Sequence, residues 1–200
     1  MVTADFILAS ASPRRAELLR QIGARFLCCP ADVDETPIPG EAPRDYVLRL
    51  ALTKAGAVLA MNNPDADSLP VLAADTTVAI DGQLLGKPEN EEQAVAMLMS
   101  LSGRSHRVFT AVAVVSSERS VWRITDTSVT FAALDEQQCR RYWQTGEPRD
   151  KAGAYAIQGL GAVFVEKIAG SYSGVVGLPL AETRELLALF GVSCWHRDGH

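Results

Sequence analysis

The chain has 200 residues, 48% of them hydrophobic, which suits one globular domain or two small lobes that share a core. Its net charge of −5 does not favour nucleic acid or an anionic membrane surface as a partner, so an anionic ligand needs local positive charge or a metal ion. Because no signal peptide pattern and no apolar run near the ~18 residues of a membrane span occur, we expect a soluble cytoplasmic protein.

Strand-like and helix-like segments alternate along the first half of the chain. A strand over 5–10, a helix over 12–23 that ends at Gly23, and a short strand over 25–30 come first. An acidic, proline-rich loop follows over 30–43, and a helix follows over 43–60. Lys54 occupies a position of this helix where an apolar residue belongs. The apolar seam comprises Val47, Leu50, Ala51, Lys54, Ala55 and Val58.

The second half adds hairpins to the same alternation. A buried strand over 71–80 is followed by Asp81-Gly82, a dipeptide typical of hairpin turns, and by an arm over 83–88. A helix over 90–103 follows, with Asn90 as its N-cap and Gly103 beyond its end, and then two antiparallel strands over 106–117 and 120–132. The next segments are a helix over 135–146 and a glycine-broken strand region over 152–168. The chain ends with a helix over 179–191, which has Pro179 in its first turn, and a frayed tail over 195–200. Hairpins and helix crossovers together predict an α/β fold with a mixed sheet and helices on its faces.

Several familiar catalytic patterns are missing from the sequence. The segment GQLLGKP is one residue too short for a Walker A loop and lacks its Ser or Thr. No GxSxG elbow occurs, and the histidines have no zinc-site spacing, which disfavours a serine hydrolase or a zinc enzyme. Without CxxC spacing, we expect the cysteines to be reduced packing residues; they are Cys28, Cys29, Cys139 and Cys194.

The first helix begins with two adjacent arginines. If Ser12 is the N-cap and Pro13 is N1, Arg14 and Arg15 fall at N2 and N3, where the helix dipole disfavours each cation by ~0.3–1 kcal/mol. Backbone N–H groups, serine hydroxyls and two guanidinium groups at one helix start would instead bind phosphate oxygens strongly. The alternative is that both arginines pair with surface acids or point into water.

Three charged residues interrupt apolar or loop patterns. Asp75 lies inside the apolar run over 71–80 and should face a metal, a lysine or a polar cleft, unless it is an edge or capping residue. Lys54 is its natural partner, although its stem could pack while its ammonium reaches water. Glu35 lies in the acidic loop, whose carboxylates either ligate a hard cation such as Mg²⁺ or are simply solvated.

Two more polar residues are candidates for ligand contacts. Lys87 follows the hairpin arm and either reaches a phosphate or lies exposed on the surface. Gln158 precedes Gly159 and Gly161, which allow close backbone approach, and its amide can pair with the edge of a base. A β-bulge that carries an incidental glutamine is the alternative.

Five ordered blocks together resemble the Maf nucleotide pyrophosphatases. They are LASASPRRAELL, DVDETP, YVLRLALTKA, AADTTVAIDGQLLGKP, and DKAGAYAIQGLG with VVGLPL. The resemblance implies a homodimeric cytoplasmic enzyme that uses a divalent metal ion, Mg²⁺ or Mn²⁺, to hydrolyse nucleoside triphosphates to monophosphate and pyrophosphate. It also implies one ITPase-like domain over residues 1–200, whose mixed, twisted central sheet is flanked by helices and whose two lobes enclose a central cleft.

The same resemblance implies roles for individual residues. Ser10, Arg14 and Arg15 resemble the triphosphate-binding turn. The residues that resemble the polar ring around the metal and the scissile phosphates are Glu35, Lys54, Asp75 and Lys87. In that ring Asp75 is the proton acceptor, and Glu35 and Asp75 are the metal ligands.

Three positions bear on the substrate. Arg14, Thr76 and Gln158 match the branch of the family that acts on dTTP and UTP, whereas the branch that acts on 7-methyl-GTP carries a bulkier aromatic residue, Gln and Glu there. We therefore expect a dTTP and UTP pyrophosphatase that removes unwanted pyrimidine nucleotides. The alternatives are a 7-methyl-GTP pyrophosphatase and a non-catalytic, nucleotide-sensing regulator of septum formation. An acidic pI without a basic helix argues against direct nucleic-acid binding.

Overall fold

The computed structural model describes residues 4–61 and 69–196. Its strands are β1 (Phe6–Leu8), β2 (Phe26–Cys28), β3 (Val71–Ile80), β4 (Gln83–Leu85), β5 (Ser105–Val115), β6 (Ser120–Phe131) and β7 (Val165–Ala169). Its helices are α1 (Pro13–Gln21), α2 (Pro43–Met61), α3 (Glu91–Leu101), α4 (Glu136–Gln144), α5 (Tyr172–Val176) and α6 (Leu180–Leu189). Short 3₁₀ turns cover Glu147–Asp150, Ala152–Ala154 and Leu160–Phe164. Among the helices within these two ranges, none contains the long apolar stretch that a membrane span requires.

The seven strands form one mixed sheet in the order β2-β1-β3-β5-β6-β7, with β4 paired to β3. Strand β1 is parallel to both β2 and β3, whereas β4 and β7 are antiparallel to their partners. Strands β5 and β6 form an antiparallel hairpin, because Ser116 N bonds to Arg119 O at its turn and Phe131 N bonds to Arg104 O at its open end. The predicted mixed α/β sheet flanked by helices is confirmed.

The described chain divides into two compact units. Unit 1 comprises Met1–Asp75, Thr110–Ile124 and Gly177–His200, and unit 2 comprises Thr76–Phe109 and Thr125–Val176. The chain passes from unit 1 to unit 2 between Asp75 and Thr76, in the middle of β3.

In unit 1, helix α2 packs on β1 and β3. The buried residues of this cluster are Ile7, Ala9, Ala55, Val58, Val71 and Ala73. The buried seam of α2 is the predicted one, and it includes Lys54. Since side chains of a strand alternate between two faces, Asp75 lies on the same face of β3 as Val71 and Ala73, towards α2.

In unit 2, local backbone chemistry fixes the predicted turns and helix ends. Asp81 and Gly82 have φ of 51° and 79°, the left-handed pair that a two-residue hairpin turn requires. Asn90 caps α3 by accepting a hydrogen bond from Gln93 N at 2.9 Å. Aromatic rings pack edge to face in the core of this unit; they are His106, Phe131, Tyr142, Tyr155 and Phe164.

The region predicted as a glycine-broken strand over 152–168 differs from that prediction. Only Val165–Ala169 is a strand, and most of the preceding segment forms 3₁₀ turns. Gly153 and Ala154 have φ of 69° and 60°, a left-handed conformation that interrupts an extended chain. Gly153 N also donates to Gly86 O at 3.0 Å, which ties this turn to the end of the hairpin arm.

Two smaller predictions concern the cysteines and the tail. All four cysteines are free, but Cys28 is exposed, so the packing prediction is wrong for that residue. Trp195 N donates to Ile22 O at 2.7 Å and His196 N donates to Gly23 O at 3.2 Å. The first two residues of the predicted tail over 195–200 are therefore hydrogen-bonded, and residues 197–200 lie outside the described ranges.

Candidate functional site

A buried ammonium group joins two carboxylates in unit 1. Lys54 Nζ lies 2.7 Å from Asp75 Oδ1 and 2.5 Å from Glu35 Oε1. Lys54 and Asp75 are buried, whereas 47% of the Glu35 side chain is exposed. The predicted pairing of Asp75 with a lysine is confirmed, and the alternatives of a Lys54 ammonium in water and of an edge or capping Asp75 are wrong.

The local structure explains why the pair forms. Strand alternation turns Asp75 towards α2, and the apolar seam of α2 turns Lys54 towards β3. A lone charge in this environment would be strongly destabilising, so each residue compensates the burial of the other. Lys54 interrupts the apolar seam of α2 and Asp75 interrupts the apolar run of β3, and the two residues form a 2.7 Å hydrogen bond with each other.

The Asp75 carboxyl is less acidic than an ordinary aspartate. Burial raises its pKa, and the positive charges of Lys54 and Arg15 oppose this rise without cancelling it. The negative charge of Glu35 raises the pKa further. The resulting carboxylate holds a proton more readily than a solvated aspartate does, which is the property expected of a proton acceptor.

The Arg15 guanidinium donates hydrogen bonds to two groups, one in the opening turn and one near the end of the chain. Ser10 Oγ accepts hydrogen bonds from Ser12 N and from Arg15 Nη1, both at 3.2 Å. Arg15 Nε donates to Gly177 O at 2.9 Å. The guanidinium is thus anchored inside unit 1, and the interpretation that it points into water is wrong.

Electrostatics link this turn to the carboxylates. Burial lowers the pKa of Arg15, and the charges of Asp75 and Glu35 act in the opposite direction. Arg14, which is half-buried at the start of the same helix, lowers the pKa of Arg15 as a like charge. The charges of the two arginines, Lys54 and the two carboxylates therefore belong to one cluster in unit 1.

Helix α2 also fixes the acidic loop that carries Glu35. Tyr46 Oη donates to Glu35 O at 3.0 Å. Arg49 binds the Glu41 carboxylate through Nε at 2.6 Å and Nη2 at 2.7 Å, and it donates to Thr36 O at 3.2 Å. These contacts hold the loop on the helix and direct the Glu35 side chain to Lys54.

Sequence reasoning did not identify Tyr46 and Arg49. Both residues lie on the helix that carries Lys54, three positions apart, and this spacing places them on one side of α2. Burial raises the pKa of Tyr46 to about 12, with the charges of Asp75 and Glu35 as further causes. The phenol therefore remains a hydrogen-bond donor at neutral pH.

Glu35 and Asp75 are the residues of the predicted set that could hold a metal ion. Both carboxylates contact the same nitrogen and so lie close together. Within residues 4–61 and 69–196, no group of three or more His, Cys, Asp or Glu side chains could hold a metal ion. A pair of carboxylates suits Mg²⁺, which proteins commonly bind through one or two carboxylates together with substrate phosphates and water.

The other predicted residues belong to unit 2. Thr76 follows Asp75 directly in β3 and is half-buried. Lys87, beyond β4, and Gln158, between two 3₁₀ turns, are exposed. The structure thus brings together six predicted residues in unit 1, namely Ser10, Arg14, Arg15, Glu35, Lys54 and Asp75.

The loop that carries Gln158 is built around the Glu147 carboxylate. Glu147 Oε1 accepts from Tyr142 Oη at 2.6 Å and from Gly161 N at 2.9 Å. Glu147 Oε2 accepts from Leu160 N at 2.9 Å. Sequence reasoning missed Glu147, because an acidic residue in a polar turn after a helix carries no distinctive pattern.

The chain is similar to known proteins over most of its length. A family model described as "Maf-like protein" matches residues 5–190. The chain is 55% identical to the dTTP/UTP pyrophosphatase of Methylobacillus flagellatus, over 93% of this chain and 92% of that protein. It is 56% identical to the dTTP/UTP pyrophosphatase of Pseudoalteromonas atlantica, over 91% and 95% of the two chains. The protein of the same name from Saccharophagus degradans is 52% identical, over 96% and 92%.

The chain also has weak similarity to a solved structure, the nucleoside-triphosphatase / dITP/XTP pyrophosphatase from Mycobacterium abscessus. The sequence identity is 19% and the TM-score is 0.41, with 64% of this chain and 74% of that chain covered.

Proposed function

The chain belongs to the Maf-like protein family, and from this membership we propose that it hydrolyses dTTP and UTP to the nucleoside monophosphate and pyrophosphate. Relatives named dTTP/UTP pyrophosphatase share 52–56% of its residues over more than nine tenths of the chain. The observation that carries the proposal is the buried ion pair of Lys54 and Asp75, with Glu35 Oε1 2.5 Å from Lys54 Nζ. This arrangement places a carboxylate that can accept a proton, Asp75, beside a fixed positive charge, Lys54.

Binding of the triphosphate is assigned to the opening turn. A polyanionic substrate requires concentrated positive charge in a protein of net charge −5. Arg14 and Arg15 supply that charge at the start of α1, where the backbone N–H groups of the first helical turn can also donate to an anion. Ser10 holds Arg15 in place and offers its own hydroxyl. Lys87 is assigned to the phosphates as well.

Hydrolysis of the phosphoanhydride is assigned to the buried cluster. Asp75 accepts the proton of the attacking water, and its raised pKa favours that transfer. Lys54 keeps the Asp75 carboxylate in place through the 2.7 Å hydrogen bond and stabilises the negative charge that develops on the phosphates. Glu35 completes the cluster from the acidic loop.

A divalent cation, Mg²⁺ or Mn²⁺, would be held by Glu35 and Asp75. When bound, such an ion stabilises charge on phosphate oxygens and lowers the pKa of water. The close pair of carboxylates supports this assignment, and substrate oxygens and water would complete the coordination.

Selection of the base is assigned to Arg14, Thr76 and Gln158. The edge of uracil or thymine presents two carbonyl acceptors on either side of one N–H donor. A glutamine amide, which contains a donor and an acceptor, can pair with part of this pattern, whereas a carboxylate can only accept. Exposure of the Gln158 side chain supports this role.

We also propose a cytoplasmic homodimer that binds no nucleic acid and removes unwanted pyrimidine nucleotides.

Release of pyrophosphate across a panel of nucleotides tests the function. We expect dTTP and UTP to be the best substrates in the presence of Mg²⁺ or Mn²⁺, and 7-methyl-GTP to be a poor one. Asp75→Asn is nearly isosteric and should lose most of the activity while remaining folded. Higher turnover of 7-methyl-GTP would assign the chain to the other branch. Binding of triphosphates without release of pyrophosphate would support a nucleotide-sensing regulator.

A further inference from the structure

Gln158 lies in a loop whose backbone is fixed on both sides by two polar side chains. We propose that Glu147, together with Tyr142, is a positioning residue that orients Gln158 and thereby sets the preference for pyrimidine nucleotides. This inference rests on the proposed function, since it concerns the residue to which selection of the base is assigned. All the contacts that carry it lie within unit 2.

The hydrogen bonds bracket Gln158 in the sequence. Two residues before it, Ala156 N donates to Tyr142 Oη at 3.1 Å. Two and three residues after it, Leu160 N and Gly161 N donate to the Glu147 carboxylate, each at 2.9 Å. Tyr142 Oη in turn donates to Glu147 Oε1 at 2.6 Å, which joins the two sides of the loop. The backbone is therefore held around an exposed amide side chain.

The glycines next to Gln158 make room for this network. A Cβ atom at Gly159 would lie 2.1 Å from Glu147 Oε2, and a Cβ atom at Gly161 would lie 2.6 Å from Tyr142 Oη. Neither distance is tolerable for non-bonded atoms. The glycine pattern of this segment is thus explained by a carboxylate and a phenol of the chain itself, which occupy the space on its inner side.

The network requires a carboxylate at position 147. Burial tends to raise the pKa of Glu147, but hydrogen bonds from Tyr142, Leu160 and Gly161 outweigh this effect and lower it. Glu147 therefore accepts three hydrogen bonds as an anion. A glutamine has nearly the same shape, but its NH₂ group would face an N–H or O–H donor. Glu147→Gln consequently breaks the network without creating a cavity.

A fixed loop should affect recognition of the base more than the chemical step. An amide that is held in place before binding loses little conformational freedom when it pairs with the base. Loosening the loop should therefore raise KM for dTTP and UTP and reduce discrimination against purine nucleotides. The buried cluster in unit 1 does not include Glu147 or Tyr142, so kcat should change little.

The test compares steady-state kinetics of five proteins with dTTP, UTP and dATP. They are the wild type, Glu147→Gln, Gln158→Ala, the double variant, and the control Glu136→Gln, which removes one exposed carboxylate of the same unit. For Glu147→Gln we expect KM for dTTP and UTP to rise about tenfold, with kcat within about threefold of the wild type, as loss of one or two hydrogen bonds predicts. The preference for dTTP over dATP should fall by a similar factor, about tenfold, because the binding step carries it.

The double variant distinguishes positioning from general stabilisation. If Glu147 acts through Gln158, the double variant should discriminate no worse than Gln158→Ala alone. Additive losses, or unchanged discrimination in Glu147→Gln when Gln158→Ala reduces it, would overturn the inference. If Glu147→Gln does not fold, Tyr142→Phe takes its place in the test. This variant keeps the ring but removes the hydroxyl that links the two sides of the loop, so KM for dTTP and UTP should rise as well.

Failure of this inference is separable from failure of the proposed function. If Gln158→Ala leaves discrimination unchanged, selection of the base by Gln158 is wrong, and the role of Glu147 is wrong with it. If the wild type binds dTTP but releases no pyrophosphate, the proposed activity is wrong. Dissociation constants of dTTP and dATP for the same five proteins then decide the role of Glu147.

Discussion

Lys54 Nζ contacts Asp75 Oδ1 at 2.7 Å and Glu35 Oε1 at 2.5 Å, so one buried ammonium serves two carboxylates that differ greatly in exposure. Asp75 is buried on the face of β3 that packs against α2, whereas Glu35 reaches the same nitrogen from an exposed loop. The inner contact therefore stabilises the fold, and the outer contact can change without exposing the core.

Lys54→Met should destabilise the protein in a pH-dependent way. Removal of one partner from a buried ion pair leaves an uncompensated charge, and we expect a loss of about 3 kcal/mol in the free energy of unfolding at pH 8. Burial already raises the pKa of Asp75, and loss of the ammonium raises it further. Protonation of Asp75 should make the loss smaller at pH 5. Urea denaturation at both pH values measures this difference, with the exposed Lys167→Met as a control. An equal loss at both pH values would contradict the prediction.

Arg15→Gln and Glu35→Gln should shift the acid limb of the pH–rate profile in opposite directions. The positive charge of Arg15 lowers the pKa of Asp75, so Arg15→Gln should move the limb to higher pH. The negative charge of Glu35 raises that pKa, so Glu35→Gln should move the limb to lower pH. Both variants should have a lower maximal kcat/KM, but the pH at which the acid limb falls does not depend on that maximum. Profiles of kcat/KM against pH measure it, and Arg25→Gln, whose guanidinium binds Asp5, should leave it unchanged. Shifts in the same direction would refute an Asp75 origin of the limb.

Tyr46→Phe should increase the Mg²⁺ concentration that activity requires, without unfolding the protein. The substitution removes the donor to Glu35 O and keeps the ring. Loss of one hydrogen bond is worth about 1 kcal/mol, so the half-saturating concentration of Mg²⁺ should rise roughly fivefold if Glu35 is a metal ligand. Titration of activity with Mg²⁺ measures the effect, and Tyr172→Phe at an exposed tyrosine is the control. An unchanged Mg²⁺ requirement would mean either that Glu35 is not a metal ligand or that Tyr46 does not position it.

His106 should make the protein sensitive to mild acid. Burial lowers its pKa to about 4 from a usual value of 6.5, and its Nε2 lies 2.8 Å from Tyr155 Oη. The unfolded chain binds a proton at His106 more tightly than the folded chain does. The contribution of neutral His106 to the free energy of unfolding is therefore fully present above pH 6.5 and is lost as the pH falls towards 4. The loss amounts to about 3 kcal/mol. Unfolding free energies of wild type and His106→Gln across this range should converge as the pH falls. A constant difference would show that His106 titrates normally.

Periodicity predicted the parts of the fold that depend on burial. The seam of α2, the Asp81-Gly82 turn and the caps of α3 all follow from side-chain spacing or from local backbone preference. The Lys54–Asp75 pair was also predictable, because each residue breaks an apolar pattern and each needs a partner of opposite charge. In these places a local rule and the tertiary structure agree.

The turns over 152–164 could not be predicted in the same way. The positive φ of Ala154 has no signal in its residue type, and the Glu147 carboxylate that organises the next loop lies in an ordinary polar turn. Tyr46 and Arg49 likewise resemble exposed helix residues until the acidic loop is placed on them. Contacts between segments decide these positions, and spacing along the chain does not record such contacts.

The hydrogen bond from Arg15 Nε to Gly177 O joins residues 162 positions apart. Unit 1 is assembled from three separate stretches of chain, and Gly177 opens the last of them. During synthesis on the ribosome, the arginine therefore emerges early and waits for its carbonyl partner until the final stretch has been translated. A nascent or truncated chain that ends before Gly177 lacks this hydrogen bond, so Arg15 acquires its full set of contacts only once translation has passed that point.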